Sequence, residues 1–189
     1  MNKLIILTAP SGSGKTSIAR YLLNKYSDKL AFSVSAATRA PRGNEQNGVE
    51  YYFISEEDFR AKIEAHQFIE WEMVYEGKYY GTLKTEIERI WNEGKTPLLD
   101  IDVKGAMRVR QQFPENSLSV FIEPPSIEIL KQRLQNRAVD SADNIEIRVN
   151  KASYELSFKN HFDKIILNND LNTACKETET AVLAFLDRI

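Results

Sequence analysis

The sequence of 189 residues lacks the features that define several classes of protein. It has one cysteine, Cys175, so a disulfide-based scaffold is excluded. No apolar run approaches the roughly 20 residues that span a bilayer, and Leu4–Leu7 is too short for the apolar part of a secretory signal. Lys plus Arg number 25 and Asp plus Glu number 27, so the net charge of −2 lacks the basic excess of a dedicated nucleic-acid binder. We therefore expect a cytoplasmic globular protein with neither a membrane nor a nucleic acid as partner.

The chain does contain the regular alternation of an α/β protein. Short apolar runs, typical of strands buried on both faces, occur at 3–7, 98–99, 118–122 and 165–167. Each run is followed by residues with helical spacing, at 15–26, 104–112, 126–137 and 171–188. Strands that alternate with helices form parallel βαβ units, so we predict a doubly wound parallel sheet.

Residues 32–82 have a different pattern, with strands at 32–35, 49–54 and 68–74 and one helix at 56–66. Glu76-Gly77 is a hairpin turn signal. We predict that this part is a small, mostly antiparallel insertion. Residues 138–144 are polar and predict a mobile loop between two helices.

The segment Ala9-Pro-Ser-Gly-Ser-Gly-Lys-Thr16 lies between the first strand and the first helix. It matches the phosphate-loop pattern G-x-x-x-x-G-K-[ST] except at Ala9. Its glycines let successive N–H groups point at phosphate oxygens, and the helix N-terminus adds its dipole. An ordinary Gly/Ser turn is the alternative, but the flanking strand and helix favour a phosphate site. The predicted ATP-binding residues of this loop are Ala9, Pro10, Ser11, Gly12, Ser13, Gly14, Lys15 and Thr16.

Three residues carry the chemistry predicted for the ATP phosphates. Lys15 reaches the β- and γ-phosphates, and the Thr16 hydroxyl binds Mg²⁺. Asp100, at the carboxyl end of a second buried strand, is a further Mg²⁺ ligand, partly through water. Asp100 and Asp102 could instead cap the helix that follows them. Ala9 is harmless if its φ is negative and distorts the loop if a positive φ is required there.

The chain resembles the guanylate kinases, a family of phosphate-loop nucleoside monophosphate kinases, over essentially its whole length. The segments that carry the resemblance, besides the loop, are Phe32–Glu45, Asn47–Phe53, Phe68–Trp71, Tyr79–Thr82 and Leu99–Asp102. It departs from the family at Ala9, where glycine is usual, and at Ala36-Ala37, where Ser or Thr is usual. The resemblance implies a core of 1–31, 83–125 and 151–189, a GMP-binding insertion of 32–82 and a lid of 126–150.

The resemblance also implies that the 5′-phosphate of GMP binds Arg39, Arg42, Tyr51 and Tyr80. Planar guanidinium groups suit phosphate, which agrees with this set. Taken alone, Tyr51 would be a half-buried aromatic residue of a strand.

Glu70 is the candidate for base recognition, because it lies between Ile69 and Trp71, where an unpaired carboxylate is costly to bury. Guanine presents N1–H and N2–H₂ as adjacent donors that a carboxylate accepts together, and adenine has no such pair. By resemblance, Ser35 and Thr82 complete the base site, and Asp102 lies near the guanine or the metal.

The predicted lid supplies Arg133, Arg137 and Arg148, to which the resemblance assigns stabilisation of transition-state charge. From spacing alone they would be solvated helix charges. By resemblance Asn168 lies near the adenine, and otherwise it is a simple turn residue.

The implied reaction is ATP + GMP → ADP + GDP with Mg²⁺, in purine nucleotide metabolism, with dGMP as a related substrate. The attacking phosphate oxygen is already ionised, so no general base is needed. Two alternatives remain: an inactive guanylate-kinase-like binding module, and a kinase of another phosphorylated acceptor such as a ribose bisphosphate. The sequence leaves open whether the protein is a monomer or a homodimer.

Overall fold

A computed structural model describes residues 2–136 and 142–188. In chain order, the elements of these residues are β1 (Leu4–Thr8), α1 (Lys15–Lys25), β2 (Leu30–Phe32), β3 (Ser35–Ala37), β4 (Tyr51–Phe53), α2 (Glu56–Glu64), β5 (Phe68–Tyr75), β6 (Lys78–Leu83), α3 (Lys84–Asn92), β7 (Thr96–Asp100), α4 (Val103–Gln112), β8 (Ser117–Glu123), α5 (Ile127–Asn136), α6 (Ala142–Leu156), a 3₁₀ turn (Lys159–His161), β9 (Lys164–Leu167) and α7 (Leu171–Leu186).

The larger sheet is parallel throughout and has the strand order β2-β7-β1-β8-β9. Its central strand β1 is buried on both faces, which explains its uninterrupted apolar sequence. Ile5 and Leu7 pack in the cluster that includes α1 and α7, whereas Leu4 and Ile6 pack in the cluster that includes α3 and α4. Helices on both faces confirm the predicted doubly wound α/β fold.

The smaller sheet has the order β4-β3-β6-β5 and a core of its own, in which the rings of Phe59 and Phe68 stack 4.3 Å apart. Strands β3 and β5 run antiparallel to β6, and β3 pairs with β4 in parallel. The prediction of a mostly antiparallel unit holds, with this one parallel pair as the exception.

The chain passes from one sheet to the other at Ser33 and Val34. The predicted strand over 32–35 is therefore wrong: Phe32 ends β2 and pairs with Leu98 of the larger sheet, and Ser35 begins β3 and pairs with Tyr51 of the smaller one. The alternation of apolar residues looks continuous across the change because both strands are partly buried.

The helices α5 and α6 pack on each other through Leu130, Leu134, Ile145 and Ala152. Helix α6 begins at Ala142, so the last residues of the loop predicted over 138–144 are helical, and its first part lies outside the described residues. Within the described ranges, no helix combines the length and apolar character needed to cross a membrane.

Candidate functional site

The predicted phosphate loop connects β1 to α1 at the carboxyl edge of the larger sheet. Gly12 and Gly14 have φ values of +92° and +93°, a conformation that residues with a side chain rarely adopt. A Cβ on Gly14 would also lie 2.2 Å from Nδ2 of Asn168. Glycine is therefore required at Gly14 both by the backbone and by its neighbour.

Ala9 fits the loop without strain. Among residues 2–136 and 142–188, His66 is the only residue other than glycine with a positive φ, so the backbone of Ala9 does not need glycine. Its side chain is 5 % exposed and packs in the core cluster with Ile18 of α1. Of the two alternatives for Ala9, the structure therefore shows the harmless one, in which no positive φ is required.

Lys15, the first residue of α1, reaches across to the end of β7. Its Nζ lies 2.5 Å from Oδ1 of Asp100 and donates a hydrogen bond to the carbonyl oxygen of Ile101 at 3.1 Å. The side chain of Thr16 is exposed beside it. Of the two predicted Mg²⁺ ligands, Asp100 is thus the ion-pair partner of Lys15 and Thr16 is its neighbour in the chain.

The two aspartates after β7 have different structural roles. Asp102 caps α4, because its Oδ1 accepts the N–H of Gly105 at 2.8 Å. Asp100 is not the cap and pairs with Lys15. The capping alternative thus applies to Asp102 alone.

Glu70 lies on β5 with 6 % of its surface exposed. Thr82, its partner on β6, donates its hydroxyl to Oε1 at 2.7 Å. Gly105 of α4 faces the other oxygen, where a Cβ would lie 2.5 Å from Oε2. Burial raises the pKa of Glu70 to about 7; the Thr82 hydrogen bond opposes this shift, and the charge of Asp102 adds to it.

Three of the four predicted ligands of the GMP phosphate lie together. Nε of Arg39 donates to the hydroxyl of Tyr80 at 3.1 Å, and the guanidinium lies 4.8 Å from the centre of the Tyr51 ring. The two tyrosine rings meet edge to face at 5.8 Å. Burial raises the pKa of Tyr51, and the charge of Asp100 adds to this. The fourth, Arg42, is exposed.

Ser35, the remaining residue of the predicted base site, begins β3 and is half-buried. Its register partner is Tyr51, so it lies beside the aromatic part of the predicted phosphate site. Its contact with guanine stays a prediction.

Two of the three predicted lid arginines contact the phosphate loop or its support. Nη1 of Arg148 donates to Oγ of Ser11 at 3.0 Å, and Nη2 of Arg133 donates to the carbonyl oxygen of Asn168 at 3.0 Å. Arg137 lies outside the described residues.

Asn168 follows β9 and is 3 % exposed, unlike a simple turn residue. Its Nδ2 donates to the carbonyl oxygen of Ser13 at 2.6 Å, so its side chain supports the phosphate loop. Its predicted place near the adenine remains a prediction, and the contact with the loop is one that the sequence did not indicate.

Sequence reasoning missed two further carboxylates. Glu45 holds the guanidinium of Arg39 with both of its oxygens, at 2.5 and 2.8 Å. Glu86 is buried at the start of α3, where it accepts hydrogen bonds from the backbone of Val34 and the hydroxyl of Tyr52. Glu45 stands in a segment that carried the family resemblance, which was the available signal. Nothing local singled out Glu86.

The segment from Asp100 to Gly105 connects the predicted ATP and GMP sites. Its first residue pairs with Lys15 of the phosphate loop, and its last lies against Glu70. Two anionic substrates bound at these places would therefore meet over one short stretch of chain.

Mg²⁺ is the metal that this arrangement suits. The described residues contain no cluster of three or more His, Cys, Asp or Glu side chains that would form a metal cage. One carboxylate, Asp100, and one exposed hydroxyl, Thr16, are instead the few protein ligands that Mg²⁺ takes when substrate phosphates and water supply the rest.

Comparison with known proteins agrees with the site. The family model "Guanylate kinase" matches residues 1–184. A guanylate kinase of Porphyromonas gingivalis is 48 % identical over 186 residues, which are 98 % of this chain and 99 % of that protein. One of Bacteroides thetaiotaomicron is 46 % identical over 98 % of this chain and 91 % of that protein. The crystal structure of a guanylate kinase from Anaplasma phagocytophilum superimposes with a TM-score of 0.76 at 28 % identity, covering 98 % of this chain and 87 % of that one.

Proposed function

The chain belongs to the guanylate kinase family, and from this we propose which of its residues hold the two nucleotides and assist the transfer. It is a nucleoside monophosphate kinase that moves the γ-phosphoryl group of ATP to GMP and yields ADP and GDP. The residue assignment depends on one observation above all: the segment Asp100–Gly105 contacts Lys15 at one end and Glu70 at the other.

The ATP phosphates bind at the loop between β1 and α1. Its N–H groups surround the phosphate oxygens, and the helix dipole of α1 favours their charge. Lys15 exchanges its contact with Asp100 for the β- and γ-phosphates. Asn168 holds the loop in shape through Ser13.

GMP binds between the two sheets. Its phosphate contacts Arg39, Arg42, Tyr51 and Tyr80, three of which already contact one another. The guanine N1–H and N2–H₂ groups donate to Glu70, whose Oε1 already accepts the Thr82 hydroxyl. Adenine would bring no paired donors to this buried carboxylate, so its charge would remain only partly satisfied and guanine is selected.

The barrier to transfer is the mutual repulsion of two polyanions, because the attacking oxygen of GMP is already ionised. Lys15, Arg133 and Arg148 supply positive charge around the transferring group, together with Arg137. They hold the reactants in line, and closure over them excludes water.

Mg²⁺ fits the remaining part of the site, held by Thr16 and Asp100, partly through water. When bound it neutralises charge on the phosphates. Asp100 now contacts Lys15, and it becomes available to the cation when Lys15 turns to the phosphates.

The finer assignments follow the sequence. We propose a core of 1–31, 83–125 and 151–189, a GMP-binding insertion of 32–82 and a lid of 126–150, acting in the cytoplasm in purine nucleotide metabolism. The two sheets, each with its own core, support the separation of core and insertion. The proposed substrates are ATP with GMP or dGMP.

An assay of the purified protein with ATP, Mg²⁺ and a panel of GMP, dGMP, AMP and CMP tests this function. We expect ADP and GDP from GMP, and little turnover of AMP or CMP. Binding of GMP without turnover would identify an inactive binding module. Turnover of a phosphorylated sugar in place of GMP would identify a kinase of another acceptor.

A further inference from the structure

Glu45 binds both arginines of the predicted phosphate site for GMP. Its Oε2 lies 2.5 Å from Nη1 of Arg39, and its Oε1 accepts Nη2 of the same residue at 2.8 Å. Oε2 also accepts the backbone N–H of Arg42 at 2.8 Å. One carboxylate therefore fixes the side chain of the first arginine and the main chain at the second.

The guanidinium of Arg39 has few directions left in which to move. Its Nη1 also donates to the carbonyl oxygen of Ala40, and its Nε donates to Tyr80. The rings of Tyr51 and Phe53 lie 4.8 and 5.5 Å away, and the side chain is only 7 % exposed. A guanidinium so far removed from water needs a counter-charge, and Glu45 supplies it.

The geometry also shows which edge of Arg39 remains for a substrate. Glu45 occupies the edge formed by Nη1 and Nη2, whereas Nε points to the hydroxyl of Tyr80. A phosphate that reaches Tyr51 and Tyr80 therefore approaches from the Nε side and leaves Glu45 in place. Displacing Glu45 would in addition leave the Arg42 N–H without its acceptor.

We infer that Glu45 is a positioning residue for GMP binding, which holds Arg39 with its Nε edge towards the phosphate and leaves the exposed side chain of Arg42 free to close on it. The inference rests on the proposed function, since it assumes that these arginines bind the phosphate of GMP. It adds a specificity element for the phosphate that is separate from the base recognition by Glu70.

The carboxylate stays ionised throughout the range in which the enzyme is assayed. Its hydrogen bonds from Arg39 lower the pKa of Glu45 to about 2, which outweighs the opposing effect of burial. Its hold on Arg39 is therefore constant with pH, and any pH dependence of GMP binding has another origin.

The substitution Glu45→Gln tests this role, because glutamine keeps an acceptor for Arg42 N–H and loses the paired charge. The matched control is Glu50→Gln in the same loop, where the one hydrogen bond of the carboxylate within residues 2–136 and 142–188 comes from the backbone N–H of Gln46. Calorimetry measures the dissociation constants of GMP and of guanosine, which lacks the phosphate. A kinetic assay of ADP formation measures KM for ATP. A melting curve verifies that each variant folds.

For Glu45→Gln we expect GMP binding to weaken about tenfold, which corresponds to the loss of one charge-assisted hydrogen bond whose acceptor, Glu45, is itself partly exposed. Guanosine binding and KM for ATP should not change, and Glu50→Gln should match the wild type. In an Arg39→Ala background, adding Glu45→Gln should have no further effect, because Glu45 acts through Arg39.

Four results would overturn the role of Glu45, and a fifth would overturn the proposed function instead. Tighter GMP binding by Glu45→Gln would show that the carboxylate competes with the phosphate. An equal loss for guanosine would show a general effect on the loop, and an undiminished effect in the Arg39→Ala background would show independence from that residue. Failure of the wild type to phosphorylate GMP would overturn the proposed function instead, whereas normal turnover with unchanged GMP binding by Glu45→Gln would remove only the role of Glu45.

Discussion

At the scale of single residues, Glu70 is a buried carboxylate with unused capacity for hydrogen bonds. Thr82 donates to Oε1, and Oε2 lies against Gly105, where any side chain would collide with it. Leaving a carboxylate in this state has a free-energy cost in the empty protein. The cost is relieved when a ligand brings paired donors, so the same residue both favours guanine and disfavours other bases.

The substitution Glu70→Gln should therefore damage the use of GMP specifically. Glutamine presents one acceptor and one donor, and the donor would face a guanine N–H. We expect kcat/KM for GMP to fall by about ten- to a hundredfold, which corresponds to one hydrogen bond with a charged group, while KM for ATP stays unchanged. Equal use of AMP and GMP by the wild type would contradict this mechanism of base recognition.

The protonation of Glu70 predicts a pH dependence of GMP binding. Burial raises the pKa of Glu70 to about 7 in the empty site, and only the ionised form accepts both guanine donors. Binding of the base should therefore weaken as the pH falls below about 7, approaching tenfold per unit. Titration calorimetry with guanosine, which has no phosphate that itself titrates near about pH 6, measures this from about pH 8 to about pH 5.5, and Glu70→Gln should give a flat profile.

The same shift has a defined sign for folding. Because the pKa of Glu70 is raised from its ordinary value of 4.5, the folded state holds a proton that the unfolded state releases. The contribution of Glu70 to stability is therefore greatest below about pH 4.5 and is lost as the pH rises through about 7. A lower pH should thus weaken guanine binding and, through the same residue, stabilise the empty protein.

At the scale of elements, the sequence predicts best where the determining contacts are local. The strand, loop and helix over residues 4–25 follow from a buried apolar run, two glycines and a helical period, and all three are present at the predicted places. Helix α3 was missed because it follows β6 directly and its N-cap residue, Leu83, has no side chain that can cap it, so the helix has no local start signal.

The parts of the site that could not be predicted depend on residues far apart in sequence. The pairs Lys15–Asp100 and Asn168–Ser13 join segments 85 or more positions apart, and no spacing rule connects them. The family resemblance supplied the residues of the site but not these contacts. Even the change of sheet at Ser33 and Val34 is fixed by distant strands, since β2 pairs with β7 and β3 with β4.

Asn168 lies where the phosphate loop, β9 and α5 meet, and a substitution there tests whether it supports the loop. This residue donates to Ser13, lies against Gly14 and accepts the side chain of Arg133 on its carbonyl oxygen. We expect Asn168→Ala to raise KM for ATP severalfold and to lower kcat, because the loop loses its support. The affinity for guanosine should not change.

Inorganic tripolyphosphate distinguishes support of the loop from contact with adenine. It carries the phosphates and no base, so Asn168→Ala should weaken its inhibition of the enzyme if the side chain acts through Ser13. Unchanged inhibition with a raised KM for ATP would place the effect at the adenine instead. Asn169→Ala, at the exposed neighbouring position, is the matched control.

At the scale of the whole molecule, the two sheets carry the two nucleotide sites, and their relative placement decides whether the substrates meet. Glu86 connects them: α3 packs against the larger sheet, and the carboxylate is 3 % exposed. It accepts the N–H of Val34, where the chain changes sheets, at 3.0 Å, and the hydroxyl of Tyr52 in β4 at 2.9 Å. Arg89 balances its charge.

Substitution of Glu86 by Gln should therefore affect both stability and the alignment of the two sites. We expect the free energy of unfolding to fall by about 1–3 kcal/mol, as for loss of a charged hydrogen bond in a buried site, and KM for GMP to rise while KM for ATP stays constant. The matched control is Glu93→Gln, which removes the other carboxylate bound to Arg89 but touches neither Val34 nor Tyr52. Urea unfolding and the two KM values provide the measurements. If Glu86 sets the position of β3 and β4, its loss must also move Tyr51 relative to the phosphate loop and raise KM for GMP. A loss of stability without any change in KM for GMP would therefore show that Glu86 only stabilises the fold.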